Sequence, residues 1–151
     1  MKKNIPTVNQ EEQLREKAAR YLVCFIDHCT HREDCLRWLA GQYVDSRLIC
    51  CEAVNPRNEL VKSGQCPLHR PAVRVLCQRG MLHFYDQMTG RQEHAIRAQL
   101  IQLFNRKYYY QIRNGKRLID PETQQTIERI CRQYGYEGPF VYDGEQEEWD
   151  W

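Results

Sequence analysis

The feature that most constrains the fold is a strong helix signal late in the chain. Asp120-Pro121-Glu122 combines a capping carboxylate, a proline suited to the first helical turn and an acid near the positive end of the helix dipole. Apolar residues then recur at helical spacing, and Gly135 can end the helix in the left-handed conformation; the apolar positions are Ile127, Ile130, Cys131 and Tyr134. The pattern predicts a long amphipathic helix with its apolar face toward a core.

Two further helices are predicted immediately before it. The first carries Ile96, Leu100, Leu103 and Phe104 on one face after a break at Gly90. Asn105 follows, and asparagine is the non-glycine residue best suited to a positive φ angle. A short helix then places Tyr109 and Ile112 inward and ends at Asn114-Gly115.

The N-terminal half has weaker signals. Asn9 and Glu12 fit a capped helix start, and Thr30 with Glu33 fits a second one that Gly41 can end. The apolar run Arg47–Val54, ended by Asn55-Pro56, predicts a buried strand, and Asn58–Gln65 reads as a loop.

The segment that follows Pro71 has two interpretations. Apolar side chains down to Met88 allow a third helix, whereas Val73–Cys77 alone fits a strand. Asp143-Gly144 is a pair typical of hairpin turns. We therefore expect a mainly α fold of the α+β class with a minor β element and a helix-turn-helix-like C-terminal half. A length of 151 residues favours a single domain with parts 1–70, 71–136 and 137–151.

Charge is distributed unevenly along the second half. Arg106 to Arg117 contains five basic residues and no acid, whereas Glu137 to Trp151 contains six acids and no base. Segments of opposite sign point either to a partner of one sign or to attraction between the two segments.

The region from Ile96 to Tyr136 resembles the helix-turn-helix of phage-repressor and lactose-repressor proteins. The resemblance rests on Asn114-Gly115-Lys116-Arg117, Pro121-Glu122-Thr123 and Gly135-Tyr136. It implies a recognition helix in the DNA major groove, with nearby basic groups on the phosphates. The residues that would face DNA are Arg106, Lys107, Tyr108, Tyr110, Gln111 and Arg113, with Lys116 and Arg117 near the backbone.

An alternative function is a protein-interaction module in which the acidic tail closes over the basic segment. In that arrangement Glu145, Glu147, Glu148 and Asp150 neutralise the basic residues, and Trp149 and Trp151 dock beside the tyrosines.

Eight cysteines offer a third possibility, a structural zinc domain. Cys24, Cys29, Cys35 and Cys66 are the expected ligands, with His28 and His31 in reserve, because tetrahedral Zn²⁺ takes four sulfur or nitrogen ligands. The competing interpretation is that cysteines such as Cys35, Cys50, Cys77 and Cys131 pack as small apolar side chains and that no cofactor is bound.

Other classes receive little support from the sequence. The longest apolar run, Tyr21 to Ile26, is too short to cross a membrane, and no apolar segment of a secretory signal follows Met1-Lys2-Lys3. Common nucleotide-binding and hydrolase motifs do not occur. We expect a cytoplasmic protein that is not an enzyme and whose partner is double-stranded DNA or another protein.

The chain as a whole also resembles an uncharacterised family of small bacterial proteins. This resemblance implies a shared fold and no particular activity. The residues that carry it are Cys24, Cys29, Cys35-Leu36-Arg37, Val54-Asn55-Pro56, Cys66, Arg79-Gly80, Tyr109-Tyr110, Arg113, Gly115, Pro121, Gln124, Ile127 and the final Trp151.

Overall fold

A computed structural model describes residues 8–151, with side chains from residue 11 onward. Its helices are α1 (Val8–Ala18), α2 (Leu36–Gly41), α3 (Glu59–Lys62), α4 (Gly90–Phe104), α5 (Arg106–Arg113) and α6 (Pro121–Gln133), with a 3-10 turn at Arg32–Asp34. Its strands are β1 (Arg74–Arg79), β2 (Leu118–Ile119) and β3 (Gly144–Trp149). The fold is therefore α+β, as expected from the sequence. No helix in the described range is long and apolar enough to span a membrane.

The three strands form one small antiparallel sheet in the order β2-β1-β3. Gln78 lies opposite Ile119, and Arg79 lies opposite Leu118. The strand interpretation of the segment after Pro71 is confirmed, and the helix from Pro71 to Met88 is wrong. Strand β1 has a neighbour on each side, and Gly80 follows the strand with a φ of 74°.

Contacts divide the chain into two compact units. One runs up to Arg74 and includes Glu148–Trp151, and the other is Val75–Glu147. The first unit has two apolar clusters joined by long irregular segments. One cluster consists of Leu14, Val23, Leu36, Ala40 and Trp149, and the other of Cys24, Ile26, Val54 and Val61.

Several predictions for the first unit need correction. The helix Leu36–Gly41 has Cys35 in its N-cap position, without a side-chain capping bond, so the capping box proposed at Thr30 is wrong. Helix α1 already includes Val8, so Asn9 does not begin it. The predicted loop Asn58–Gln65 contains the single turn α3, which Asn58 caps by accepting from the backbone N–H groups of Leu60 and Val61.

The predicted buried strand Arg47–Val54 is also wrong. It forms only an isolated bridge between Ala53 and Val23, and Ile49 is fully exposed. Only Val54, at the end of the run, reaches the apolar cluster. An apolar run makes a buried strand only when neighbouring strands pair with it and a core covers it, and neither condition is met here.

The second unit is built around α4, which packs against both α5 and α6. Thr89 and Gln92 form a reciprocal capping box at the start of α4, so this helix begins six residues before Ile96. The core contains twelve buried residues: Met81, Phe84, Tyr85, Ile96, Leu100, Tyr109, Ile112, Ile119, Ile127, Ile130, Cys131 and Tyr136. The hydroxyls of Tyr85 and Tyr109 bond to each other at 3.0 Å inside this core.

The long helix predicted from Asp120 to Gly135 is confirmed in most respects. The Asp120 carboxylate accepts the backbone N–H of Thr123 at 2.8 Å, and Gly135 follows the helix with a φ of 78°. Tyr134 was assigned to the core face but is 40% exposed, because α6 ends at Gln133 and the chain turns there.

The tail does not form the predicted hairpin at Asp143-Gly144. Gly144 begins β3, which pairs with β1, a strand more than 60 residues earlier in the chain. The Asp143 carboxylate accepts the backbone N–H groups of Leu82 and His83 at 2.8 and 3.1 Å. Asp143 thereby fixes the turn after β1 instead of a turn of its own.

Candidate nucleic-acid interface and cysteine cluster

The basic segment begins at the junction between α4 and α5. Asn105 has a φ of 63°, and its side-chain oxygen accepts the backbone N–H of Tyr108 at 3.0 Å. A single residue therefore separates the two helices and caps the second. Tyr109 and Ile112 are each 1% exposed, which confirms the predicted inward face of α5.

Four of the five cations in this segment are exposed to solvent. Arg106 and Lys107 are exposed in the first turn of α5, and Lys116 and Arg117 are exposed in the turn after the helix. Tyr108, Tyr110, Gln111 and Arg113 are half-buried. The eight predicted DNA-facing residues thus all retain some solvent contact, and the exposed cations lie at the two ends of the short helix.

The arginines and tyrosines of the segment contact one another. The guanidinium carbon of Arg117 lies 4.2 Å from the ring centroid of Tyr108, and that of Arg106 lies 5.8 Å from the ring centroid of Tyr110. Such cation–π contacts hold long side chains near the helix while leaving their N–H groups available to an acceptor.

The acidic tail contributes strand β3 to the sheet, and its last residues, Glu148–Trp151, belong to the first unit. Strand β3 is on the opposite side of β1 from β2, the strand that directly follows Arg117. Trp149 is buried with Leu14, Val23, Leu36 and Ala40, so the prediction that it docks beside Tyr108 and Tyr110 is wrong.

Asp150 and Trp151, which were also expected there, have different partners. Asp150 pairs with Arg70 at 2.8 Å, and the ring of Trp151 packs edge-on against Tyr21 at 5.0 Å. Trp149, Asp150 and Trp151 thus have partners within the first unit, and neutralisation of the basic segment by the other acidic residues stays a prediction.

A second candidate site lies in the first unit, where four cysteines converge on one small cavity. Cys24, Cys29, Cys35 and Cys66 all line it, and these are the four cysteines that sequence spacing grouped as possible metal ligands. They come from separate pieces of chain. Cys24 and Cys29 flank a turn in which the Cys29 N–H donates to the Ile26 carbonyl. Cys35 directly precedes α2, and Cys66 follows α3.

The electrostatics of Cys24 reflect this convergence. Burial raises the pKa of the Cys24 thiol, and the charges of Cys35, Cys29 and Cys66 raise the pKa further. The backbone N–H of Ile26 acts in the opposite direction, because it donates to the Cys24 sulfur and favours the thiolate. The three other thiols therefore lie within electrostatic range of Cys24.

The cavity is small and has basic residues in its wall. Its volume is about 20 Å³, which is room for about one water-sized particle. Arg32 and Arg37 line it, and Arg37 donates to the backbone carbonyls of Leu68 and Leu22 at 2.7 and 3.0 Å. Among the described residues, no three cysteine, histidine or acidic side chains are arranged to hold a metal ion in the conformation observed.

The histidines around the cavity differ from His28 and His31, which the sequence predicted as alternative metal ligands. His31 lines the cavity, whereas His28 is not among its lining residues. His69 lines it too; its Nε2 lies 3.9 Å from a carboxylate oxygen of Asp34 and makes no hydrogen bond in the described part of the chain. The sequence feature that could have identified His69 is its position three residues after Cys66, because this spacing places both side chains on the same loop.

The remaining cysteines divide into two kinds. Cys77 and Cys131 are buried, as the apolar-packing interpretation predicted. Burial raises the pKa of Cys131 to about 12, which makes this thiol a poor nucleophile. Cys50 and Cys51 are exposed, so the prediction that Cys50 packs on an apolar face is wrong.

Comparison with known families identifies the chain at the level of its family. A family model described as "Family of unknown function (DUF6078)" matches residues 7–151. The chain belongs to DUF6078. The match covers both candidate sites of this DUF6078 protein, the basic segment and the cysteine cavity. No curated protein and no solved structure matches the sequence.

Proposed function

We propose that this DUF6078 protein binds double-stranded nucleic acid through α5 and the basic turn that follows it. The observation that supports this proposal is the exposure of Arg106, Lys107, Lys116 and Arg117 beside a helix whose opposite face is buried. Phosphate neutralisation by clustered lysines and arginines supplies most sequence-independent affinity for duplexes.

The helical arrangement supports a helix-turn-helix mode of binding. Helix α4 packs against α5 and α6, and the single residue Asn105 joins α4 to α5. In this mode α5 is the recognition helix, with Tyr108, Gln111 and Arg113 directed at base edges and the exposed cations on phosphates. Its role is binding and not catalysis.

Direct measurement of salt dependence tests the proposal. Binding of a 30-base-pair duplex by the full chain is measured by fluorescence anisotropy over a series of salt concentrations. Five cations can contribute a slope of up to about −4.5 in a plot of log affinity against log salt. Replacing Arg106, Lys107 and Lys116 with glutamine is expected to reduce the magnitude of that slope by up to about 2.7 and to weaken binding at every salt concentration.

A matched control removes three exposed arginines elsewhere, Arg57, Arg91 and Arg129, again as glutamine substitutions. Both triple variants have the same net charge, so a difference between them reports the position of the charges. Equal affinity of wild type and the first variant would contradict the proposal. An equal loss in both variants would show attraction by net charge and would also reject α5 as the binding surface.

A further inference from the structure

We infer that Cys24, Cys29, Cys35 and Cys66 form a structural zinc site in the first unit. This inference is independent of nucleic-acid binding, because all four residues lie outside the second unit. Four sulfur ligands are the donor set of closed, structural Zn²⁺ centres. Of the eight cysteines, the four that line the cavity are these four, while Cys50 and Cys51 face solvent and Cys77 and Cys131 lie elsewhere.

The size of the cavity fits a single ion. Its volume of about 20 Å³ is room for about one particle of water size. In the described residues the thiols are not arranged around a common point, so they must move inward to reach zinc–sulfur distances of about 2.3 Å. Cys24, Cys29 and Cys66 belong to one apolar cluster whose walls are Ile26, Val54 and Val61.

The surrounding charges fit a bound thiolate cluster. Four thiolates around one Zn²⁺ carry a net charge of −2, and two guanidinium groups, those of Arg32 and Arg37, line the same cavity. When the ion binds, each thiol that is still protonated releases one proton to solvent, so ligation is weakened at low pH.

The architecture of the first unit supplies a reason for a metal. Helices α2 and α3 have only six and four residues, and the segments that carry Cys24, Cys29 and Cys66 are irregular. Short helices and loops bury little apolar surface, and small units of this kind are commonly held together by a metal ion.

The first test is metal content. The full chain is purified under reducing conditions, supplied with Zn²⁺, freed of excess metal by gel filtration and analysed by elemental mass spectrometry. One zinc per chain is the expected result. Less than about 0.1 zinc per chain would overturn the inference.

Variants then locate the ion. Cys66→Ser is expected to lower zinc content at least fivefold, and Cys24→Ser gives the same measurement at a more buried position. The matched control Cys50→Ser/Cys51→Ser changes two cysteines that do not line the cavity and should keep the metal. Full zinc content in Cys66→Ser and Cys24→Ser, or equal loss in the control, would reject the site.

Alkylation provides a readout that does not need a folded variant. With zinc bound, N-ethylmaleimide should modify Cys50 and Cys51 and spare the four cavity cysteines, and a chelator should expose the four to modification. Identical labelling with and without zinc would contradict the inference.

The histidine ligand set is distinguished by His69→Ala. This variant is expected to retain zinc, because the proposed ligands are all sulfur. Loss of zinc in His69→Ala together with full retention in Cys35→Ser would replace the four-sulfur assignment by one with three sulfurs and one nitrogen.

Discussion

Asn105 meets two requirements at the junction of α4 and α5. Its φ of 63° and ψ of 159° lie in a region that side chains normally avoid and glycine occupies freely. Its side-chain oxygen also accepts the Tyr108 N–H at the start of α5. The residue therefore adopts a strained backbone conformation and also contributes a capping hydrogen bond. Asparagine suits this position because its short polar side chain can make that bond, whereas an alanine or a longer side chain cannot.

Substitutions at Asn105 should separate these two contributions. Asn105→Ala loses the cap and keeps the strain, so we expect the free energy of unfolding to fall by about 2 kcal/mol. Asn105→Gly loses the cap but relieves the strain, so it should stay within about 1 kcal/mol of wild type. Urea denaturation followed by circular dichroism measures both, and equal destabilisation by alanine and glycine would show that strain is unimportant.

At the scale of elements, α2 lies directly against the strand-like segment that carries Cys24. Leu36 and Ala40 are fully buried, the Cys24 N–H donates to the Arg37 carbonyl at 3.0 Å, and a β-carbon on Gly41 would collide with the Cys24 carbonyl oxygen. Gly41 was predicted to end the helix in a left-handed conformation. It is instead the last helical residue, and the close approach of two backbones explains why it has no side chain.

Adding one methyl group tests this close approach. Gly41→Ala should destabilise the protein by about 2 kcal/mol or more, because backbone atoms must move to accept the new carbon. The matched control is Gly90→Ala at the start of α4, where a β-carbon meets nothing within 4 Å. That variant should be neutral or more stable by up to about 1 kcal/mol. Equal unfolding midpoints in denaturant for the two variants would contradict the predicted contact.

At the scale of the molecule, Glu148–Trp151 completes a core built from the early part of the chain. Trp149 is 2% exposed beside Leu14, Val23 and Leu36. The guanidinium group of Arg70 contacts the backbone carbonyl and the carboxylate of Asp150 at 2.9 and 2.8 Å. The position of these acidic residues is thus set by a buried tryptophan. We expect burial of its indole to contribute more to the free energy of unfolding than the ion pair of Asp150 does.

Removal of the indole should cost far more than removal of the ion pair. Trp149→Ala is expected to lower the free energy of unfolding by about 3–5 kcal/mol through loss of apolar burial and creation of a cavity. Asp150→Asn should cost less than about 1 kcal/mol, because both side chains of its ion pair with Arg70 are well exposed to solvent. Thermal and urea denaturation of both variants measure the difference, and comparable losses would show that the charges anchor this segment.

The sequence alone determined the features that depend on neighbours in the chain. The cap, proline and apolar spacing of α6 identified that helix, and the position of Asn105 indicated the junction before α5. The periodicity of α5 also predicted the burial of Tyr109 and Ile112 and the exposure of Arg106 and Lys107, whereas Arg113, expected in solvent, is half-buried. The grouping of Cys24, Cys29, Cys35 and Cys66 came from spacing, and all four line one cavity.

Only the tertiary structure decided features in which a segment needs a distant partner. The apolar run Arg47–Val54 has high strand propensity yet no strand to pair with, whereas the charged segment Gly144–Trp149 becomes β3 because β1 is available. The positions of Trp149 and His69 likewise depend on contacts across the fold. The physical reason is that capping and helical periodicity act within a few residues, whereas strand pairing and core packing join residues whose separation along the chain carries no local signal.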